Sequence, residues 1–207
     1  MKKTIITISR EYGSGGREIG RKLASKLGIP FYDNELITIA AKKSGFAEEM
    51  FQQADLKPTG SLLYTLSLFG GGGAGFDLPL SDKIYLIQSD IIKEVAAQGS
   101  CVIVGRCADY VLRENPSLIR IFVHADLQSR IERSIRVNEL NEDKAKEKLL
   151  RIDKRRSSYY NYYTNQRWGR AEHFDLSINS AKLGVDGAVE VLETYTRATN
   201  RKSAETL

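Results

Sequence analysis

The sequence predicts an α/β protein built on a doubly wound parallel sheet of about five strands, with helices on both faces. Two observations lead to this prediction. Short β-branched or apolar runs alternate with segments of helical periodicity, and the run Cys101–Val104 is apolar throughout, as in a strand buried on both faces. The 207 residues, 42% of them apolar and 28% charged, are enough for one such domain. We therefore expect a single domain over residues 1–207.

The predicted strands and helices follow one another in regular order. The first strand, 4–8, gives way to a glycine cluster and then to a helix that begins at Arg17 and ends before Gly28. Asp33 and Asn34 follow the next short strand, and either side chain could cap the helix after it. The other predicted strands are 29–32, Cys101–Val104, Leu118–His124 and 174–179, and the other predicted helices are 81–98, one that begins at Asp126, and 187–195.

Composition narrows the possible classes of function. The net charge of +5 comes partly from arginines in 120–170 and suits either nucleotides or nucleic acid as partners. Cys101 and Cys107 are the only cysteines, and their spacing from the two histidines does not fit a zinc site, so no metal ligands are expected. The apolar run near the amino terminus is too short for a signal peptide, and no stretch is long enough to span a membrane. We expect a cytoplasmic protein without membrane contacts.

The stretch 4–20 has the order of a strand, a glycine loop and a helix. Glycines allow backbone N–H groups to point inward, and a helix N-terminus adds unpaired donors, so such a loop suits a phosphate. The residues expected to bind phosphate are Gly13, Ser14, Gly15 and Gly16. A glycine turn that only joins the two elements is the alternative. The dinucleotide pattern G-x-G-x-x-G does not fit, because Glu18 occupies its third glycine position.

Further candidate residues follow other predicted strands. Open α/β sheets bind ligands at the carboxyl ends of their strands, where the sequence has Asp33 and Arg106. The planar guanidinium of Arg106 suits phosphate. The helix after the next strand carries three arginines at three-residue spacing, Arg130, Arg133 and Arg136. A phosphate-binding surface and a solvated basic face both remain open for this helix.

Two regions are expected to move. The region 46–80 contains a short helix and then four consecutive glycines within 69–76, which predicts a mobile insertion. A surface loop and a homodimer contact through 60–80 are alternatives, because this part is more apolar than a solvated loop should be. The region 130–163 is rich in arginine and tyrosine and is expected to form a lid. Its aromatic side chains could close over a nucleotide or stack on the bases of RNA, although nucleic acid is not the expected partner.

Together these motifs resemble the cytidylate kinase-like branch of the P-loop nucleoside monophosphate kinases. The motifs occur in family order over nearly the whole chain, as ISREYGSGGREIG, FYDNELI, VIVGRCADYVL, IRIFVHADLQSRIERSI, DKRRSSYY and HFDLSIN. The resemblance implies a P-loop kinase fold, with a monophosphate-binding region at 46–80 and an arginine-bearing lid at 130–163. It also implies transfer of the γ-phosphoryl group of ATP, with Mg²⁺, to CMP or dCMP.

The resemblance also implies roles for individual residues. Asp33 matches the aspartate after the second strand, and Arg106 matches the arginine of a G-R-D motif. The family's R-x-x-R helix falls at 130–133, and its D-x-x-R motif, which grips cytidine monophosphate, falls at 153–156. The implied catalytic residues are Arg17, Arg106, Arg130, Arg133, Asp153 and Arg156. The implied acceptor-binding residues are Asp33, Arg106, Asp153 and Arg156.

The glycine loop departs from the usual pattern G-x-x-x-x-G-K-[ST]. Aligned with the loop of nucleotide kinases, Gly16 takes the place of the lysine and Arg10 the place of the first glycine. In this alignment Arg17 follows the lysine position and is the nearest cation for the phosphates, and Glu18, one residue further on, occupies the position of the magnesium-binding hydroxyl. Cys107 replaces the aspartate of G-R-D. A non-catalytic module that senses ATP or another nucleotide is therefore the alternative to an active kinase.

Overall fold

A computed structural model of the protein describes residues 3–54 and 78–205. The strands are β1 (Ile5–Arg10), β2 (Phe31–Tyr32), β3 (Cys101–Val104), β4 (Leu118–His124) and β5 (Leu176–Asn179). The helices are α1 (Gly16–Leu27), α2 (Glu35–Ser44), α3 (Glu48–Ala54), α4 (Leu80–Gln98), α5 (Ala108–Val111), α6 (Leu127–Asn138), α7 (Glu142–Thr164) and α8 (Ser180–Glu205). The strands form one sheet in the order β2-β3-β1-β4-β5, and all neighbouring pairs are parallel.

Helices cover both faces of the sheet. α1 and α8 pack on one face, over a buried cluster that includes Ile6, Ile8 and Ile121. α2, α3, α4 and α5 pack on the other face, over a cluster that includes Ile5 and Ile103. Successive residues of a strand point to opposite faces, so Ile5 and Ile6 enter different cores. The prediction of a doubly wound parallel sheet is confirmed.

The bounds of several predicted elements differ from those in the structure. β2 is shorter than the predicted strand, because Pro30 before it has no N–H to donate to a neighbouring strand. β5 begins at Leu176, because a 3-10 turn at Ala171–His173 precedes it. α8 extends well beyond the predicted helix 187–195 and breaks at Gly184, where φ is 69° and ψ is 179°.

The two regions expected to move differ in how much of them the structure describes. The short helix predicted within 46–80 is α3. Residues 55–77, which include the glycine-rich 69–76 and most of the predicted dimer contact, lie outside the described residues. The predictions about them therefore stay predictions. In the described part of the chain, no helix has the length and apolarity needed to span a bilayer.

The predicted lid region 130–163 lies on two helices, α6 and α7. The side chains of Asp126 and Asn141 cap their N-termini by accepting backbone N–H bonds. The end of α7 packs on α4, where Tyr163 stacks on Tyr85 with ring centroids 4.0 Å apart. Part of the tyrosine-rich stretch thus packs against α4.

Candidate active site

The glycine loop joins the carboxyl end of β1 to the first turn of α1. Gly13 and Gly15 have positive φ angles of 80° and 79°, and α1 begins at Gly16 without a side-chain cap. The first amides of α1 are therefore open to a ligand, and the helix dipole favours an anion there. The loop lines a cavity of about 550 Å³. This geometry can hold a chain of phosphate groups.

A smaller cavity, of about 260 Å³, lies between the loop after β3 and helix α7. Its charged lining consists of four arginines and one aspartate, namely Arg10, Arg106, Arg155, Arg156 and Asp33. Less polar walls come from Cys107, Tyr159, Tyr160 and Trp168. The excess of positive charge suits an anionic ligand, and the aromatic rings offer faces to a planar group.

The two cavities share a wall. Arg10, Asp33, Asn34 and Arg156 line both of them. All four lie near the carboxyl ends of β1 and β2 or on α7, where the fold brings the glycine loop close to the helix. A ligand in one cavity can therefore contact a ligand in the other at this wall.

Asp33 is bound by two arginines at the shared wall. Its carboxylate lies 2.5 Å from Arg17 Nε and 3.9 Å from Arg10 Nη2, and its side chain is only 8% exposed. Asn34 is the N-cap residue of α2, and its side chain makes no capping bond. The prediction that the side chain of Asp33 or Asn34 caps this helix is therefore wrong. The Asp33 carboxylate is oriented by guanidinium groups instead.

Arg17 lies at the outer edge of the larger cavity. Its side chain is 63% exposed and reaches Asp33. It lines the cavity of the glycine loop but not the smaller one. Its predicted contact with phosphate stays a prediction.

Glu18 pairs with a cation from the predicted lid. Arg133 Nη2 donates to one carboxylate oxygen, and Lys22 Nζ lies 3.6 Å from the other. Glu18 and Arg133 both line the larger cavity, so this ion pair joins α1 to α6 across it. Arg133 is thus one of the predicted arginines that the fold brings to the glycine loop.

Arg130 and Asp153 form an ion pair under the glycine loop. Their side chains are 8% and 14% exposed. The Tyr12 N–H donates to Asp153 at 2.7 Å, and Arg130 donates to the Tyr12 carbonyl at 3.3 Å. Neither charged residue lines the two cavities. Their contacts therefore hold one peptide of the loop, and the ligand-binding role implied for both stays a prediction.

Arg156 and Arg106 do line the smaller cavity. Arg156 donates to the Arg10 carbonyl at 3.0 Å, and its guanidinium lies 5.6 Å from the centre of the Tyr12 ring. Arg106 lies in a run of left-handed backbone, where φ is 78° at Gly105, 58° at Arg106 and 53° at Cys107. Residues other than glycine rarely adopt this conformation, and such strain is typical of functional sites.

A buried hydrogen bond joins α5 to α7 at the smaller cavity. The Tyr160 hydroxyl donates to Asp109 at 2.7 Å. Burial raises the pKa of Asp109, and burial together with the Asp109 carboxylate raises the pKa of Tyr160. The bond fixes α7 relative to the loop that carries Arg106.

A third cavity, of about 340 Å³, lies between α6 and the start of α8. Arg136, the third arginine of the predicted basic helix, lines it together with Ser180 and Gly184. The Ser180 hydroxyl donates to the Ser14 carbonyl at 2.6 Å and ties the glycine loop to α8. This cavity shares Gly13 and Arg133 with the larger one, so an extended ligand could occupy both.

Several residues of the smaller cavity were not among the predicted site residues, including Arg10, Arg155 and Trp168. Arg10 could have been predicted as a site residue, since it stands where the phosphate-loop pattern has its first glycine. Arg155 directly precedes Arg156, and the sequence alone does not show which of two neighbouring arginines faces a cavity. Nothing in the sequence around Trp168 indicates its place.

Comparisons with known proteins agree with this architecture. The model of the cytidylate kinase-like family matches residues 5–182. A search of the curated proteins gives no significant match. A solved structure of an uncharacterized protein from Eubacterium ventriosum ATCC 27560 is 28% identical, with a TM-score of 0.72, over 94% of this chain and 99% of that one.

Two solved kinases are similar in fold at lower identity. A shikimate kinase from Bacteroides thetaiotaomicron is 14% identical, with a TM-score of 0.55, over 94% of this chain and 98% of its own. A gluconokinase from Sinorhizobium meliloti 1021 is 17% identical, with a TM-score of 0.51, over 97% and 98%. These likenesses show the fold alone. The match over residues 5–182 and the shared fold establish that the chain belongs to the cytidylate kinase-like family and has the P-loop kinase fold.

Proposed function

We propose that this protein transfers the γ-phosphoryl group of ATP to a nucleoside monophosphate, with CMP or dCMP as the acceptor. The observation that carries the proposal is the meeting of two cavities at Arg10, Asp33 and Arg156. Phosphates of ATP on the glycine loop and an acceptor phosphate in the smaller, arginine-lined cavity would come together there. Membership of the cytidylate kinase-like family and the P-loop kinase fold support a phosphotransferase.

On the donor side, the backbone of the glycine loop would bind the ATP phosphates. The residues that would contribute are Gly13, Ser14, Gly15 and Gly16, with Arg17 and Arg133 as nearby cations. The third cavity extends the larger one past Gly13 and leaves room for the nucleoside of the donor.

On the acceptor side, Arg155 is the most available cation. It lines the smaller cavity, and among the described residues no hydrogen bond or ion pair engages it. Arg106 and Arg156 line the same cavity, so three guanidinium groups could share one phosphate. Asp33, an acceptor of hydrogen bonds, would bind a donor group of the nucleoside.

Phosphoryl transfer requires the protein mainly to position the two substrates and to neutralise their negative charge. An oxygen of the acceptor phosphate forms a bond to the γ-phosphorus while the bond to the β–γ bridging oxygen breaks, and ADP leaves. An acceptor phosphate that is already dianionic needs no base to remove a proton. Arginines at the shared wall would neutralise the charge on the transferred group, and the loss of one such group typically costs about 10²–10³-fold in turnover.

Kinases use ATP as its complex with Mg²⁺, and the residues of this site are chemically suited to bind that ion. The ion keeps several waters and takes one or two carboxylates besides phosphate oxygens. Among the described residues no group of three or more acidic, histidine or cysteine side chains is placed to hold a metal ion. Glu18 would supply the carboxylate, directly or through water, after release from Arg133. When bound, the ion neutralises charge on the phosphates.

A coupled assay of ADP release tests the proposal. Purified protein with Mg-ATP should release ADP with CMP or dCMP and release less with UMP, AMP or GMP. Release of ADP with none of the acceptors would contradict a kinase. Preference for another monophosphate would keep the reaction and correct the acceptor.

A non-catalytic nucleotide sensor is the second candidate. The observation that favours it is the ion pair of Glu18 with Arg133, which ties up the residue in the place of the magnesium-binding hydroxyl. Calorimetry separates the two functions. Tight ATP binding without ADP release in the coupled assay would identify a sensor.

A further inference from the structure

The glycine loop has its cation and its glycine at positions opposite to those of the usual pattern, with Arg10 at the glycine position and Gly16 at the lysine position. The usual loop has a glycine at the first of these positions and a lysine at the second, whereas this chain has arginine first and glycine second. The loss of the lysine and the gain of an arginine thus occur in the same loop. The structure shows that the two positions are in contact.

The stem of the Arg10 side chain fills the space in which a side chain at position 16 would begin. A Cβ placed on Gly16 would lie 2.6 Å from Arg10 Cβ and 3.1 Å from Arg10 Cγ. Gly16 is the first residue of α1 and its φ is not positive, so its backbone would accept any side chain. Steric contact with Arg10, and not backbone conformation, is what excludes a lysine there.

The guanidinium of Arg10 lies at the centre of the site. A Cβ placed on Gly105 would overlap Arg10 Nη1 and lie 3.3 Å from Cζ, so the guanidinium rests directly on the backbone after β3. Its Nη2 lies 3.9 Å from Asp33, and the side chain is 20% exposed. Arg10 lines both main cavities, at the wall that they share.

We propose that Arg10 supplies the catalytic cation that the loop lysine supplies in other P-loop kinases, an inference that rests on the proposed phosphotransferase function. The less exposed cation interacts more strongly with a phosphate because less water screens it. Arg17 is 63% exposed against 20% for Arg10 and lines only one of the two cavities. The charge has therefore moved from the start of the helix to the end of the strand.

Arg10 acts by charge and hydrogen bonding alone. Its planar group can donate to two oxygens of the γ-phosphoryl at once. As the acceptor oxygen bonds to phosphorus and the bridging oxygen leaves with ADP, Arg10 stays protonated and balances the negative charge on the transferred group.

Rebuilding the usual loop tests the proposal. Arg10→Gly should lower turnover at least about 100-fold, as for the loss of other charge-stabilising groups. Gly16→Lys alone should also lower turnover, because two side chains compete for one space. The double variant Arg10→Gly with Gly16→Lys should recover about 10-fold or more over Arg10→Gly, since a lysine then reaches the phosphates from the usual position. The other close neighbour of that lysine would be Val123 Cβ, at 3.2 Å, which a small shift relieves.

Control variants separate the loss of the Arg10 guanidinium from misfolding and from the loss of any arginine. Arg113→Ala removes a half-exposed arginine that pairs with Glu114 outside the cavities, and its turnover should stay unchanged. Thermal melting of each variant detects misfolding, and Arg10→Gln replaces Arg10→Gly if the latter does not fold. Near-normal turnover of Arg10→Gly, or no recovery in a folded double variant, would overturn the proposal. A large loss in Arg17→Ala with none in Arg10→Gly would assign the cation to Arg17.

Binding of an ATP analogue tests the phosphate contact of Arg10 independently of the proposed kinase activity. Calorimetry with a non-hydrolysable ATP analogue needs no acceptor and no turnover. Arg10→Gly should weaken its affinity about 10-fold or more, and the double variant should restore it. If the wild-type protein releases no ADP, the kinase proposal fails while this experiment still tests Arg10. Unchanged affinity in Arg10→Gly would refute a phosphate contact of Arg10.

Discussion

Replacing Asp153 by Ala should destabilise the protein far more than replacing an exposed aspartate. Asp153 is the partner of Arg130, whose side chain is 8% exposed, and it accepts the Tyr12 N–H at 2.7 Å. Removing one partner of a buried ion pair costs about 3–5 kcal/mol. Glu11 remains 3.5 Å from Arg130, which keeps the loss near the lower end, at about 3 kcal/mol. For a chain of this size that lowers Tm by about 6–12 °C.

Urea denaturation followed by circular dichroism measures this loss. Asp186→Ala is the matched control, because Asp186 is 84% exposed and pairs with Lys22 at 2.7 Å. Surface pairs contribute about 0–1 kcal/mol. The double change Asp153→Leu with Arg130→Met should cost less than Asp153→Ala, because it removes the buried guanidinium that Asp153→Ala leaves without its main partner, and only the more exposed Glu11 then loses a cation. Equal losses in Asp153→Ala and Asp186→Ala would refute the view that this pair holds the glycine loop.

Three further predictions concern Arg17, Asp109 and the region 130–163. Arg17→Ala should lower turnover less than Arg10→Gly does, by about 10-fold or less, because water screens its largely exposed guanidinium. Its free energy of unfolding should change by about 1 kcal/mol or less, and a loss of turnover larger than that of Arg10→Gly in the coupled assay would contradict the assignment of the cation to Arg10. Burial raises the pKa of Asp109, so its contribution to stability is full below about pH 4 and is lost as the pH rises through the raised pKa. The variant Asp109→Asn lacks the titrating carboxyl group. Its free energy of unfolding, measured by urea denaturation, should therefore rise relative to that of the wild type as the pH increases from about 4. A difference between the two proteins that does not depend on pH would contradict a raised pKa of Asp109. An ATP analogue together with CMP should slow amide hydrogen exchange in 130–163, and unchanged protection there would mean that α6 and α7 do not act as a lid.

The parts of the fold that could be predicted depend on local sequence. The β-branched run of β1 and the apolar run Cys101–Val104 specify buried parallel strands by composition, and Gly28 marks the end of α1. The glycine loop is equally local, since Gly13 and Gly15 adopt the positive φ that their lack of a side chain permits.

Most of the ionic contacts of the candidate site could not be predicted, because they join residues far apart in the chain. Asp153 and Tyr12 are 141 positions apart, and only the packing of α7 beside the loop brings them together. The same packing directs Arg130 to the loop backbone and not to a cavity. Charged residues on a helix reveal which face they share but not which partner that face will meet.

The two outer strands of the sheet are short, which affects how copies of the protein can associate. β2 has two residues and β5 has four. An exposed edge promotes pairing between molecules in proportion to its run of unpaired backbone groups, and natural proteins keep such edges short to prevent it. A second copy would therefore gain few backbone hydrogen bonds by extending this sheet. Any dimer that forms should use surfaces other than these edges, and the folded protein should resist edge-to-edge aggregation at high concentration.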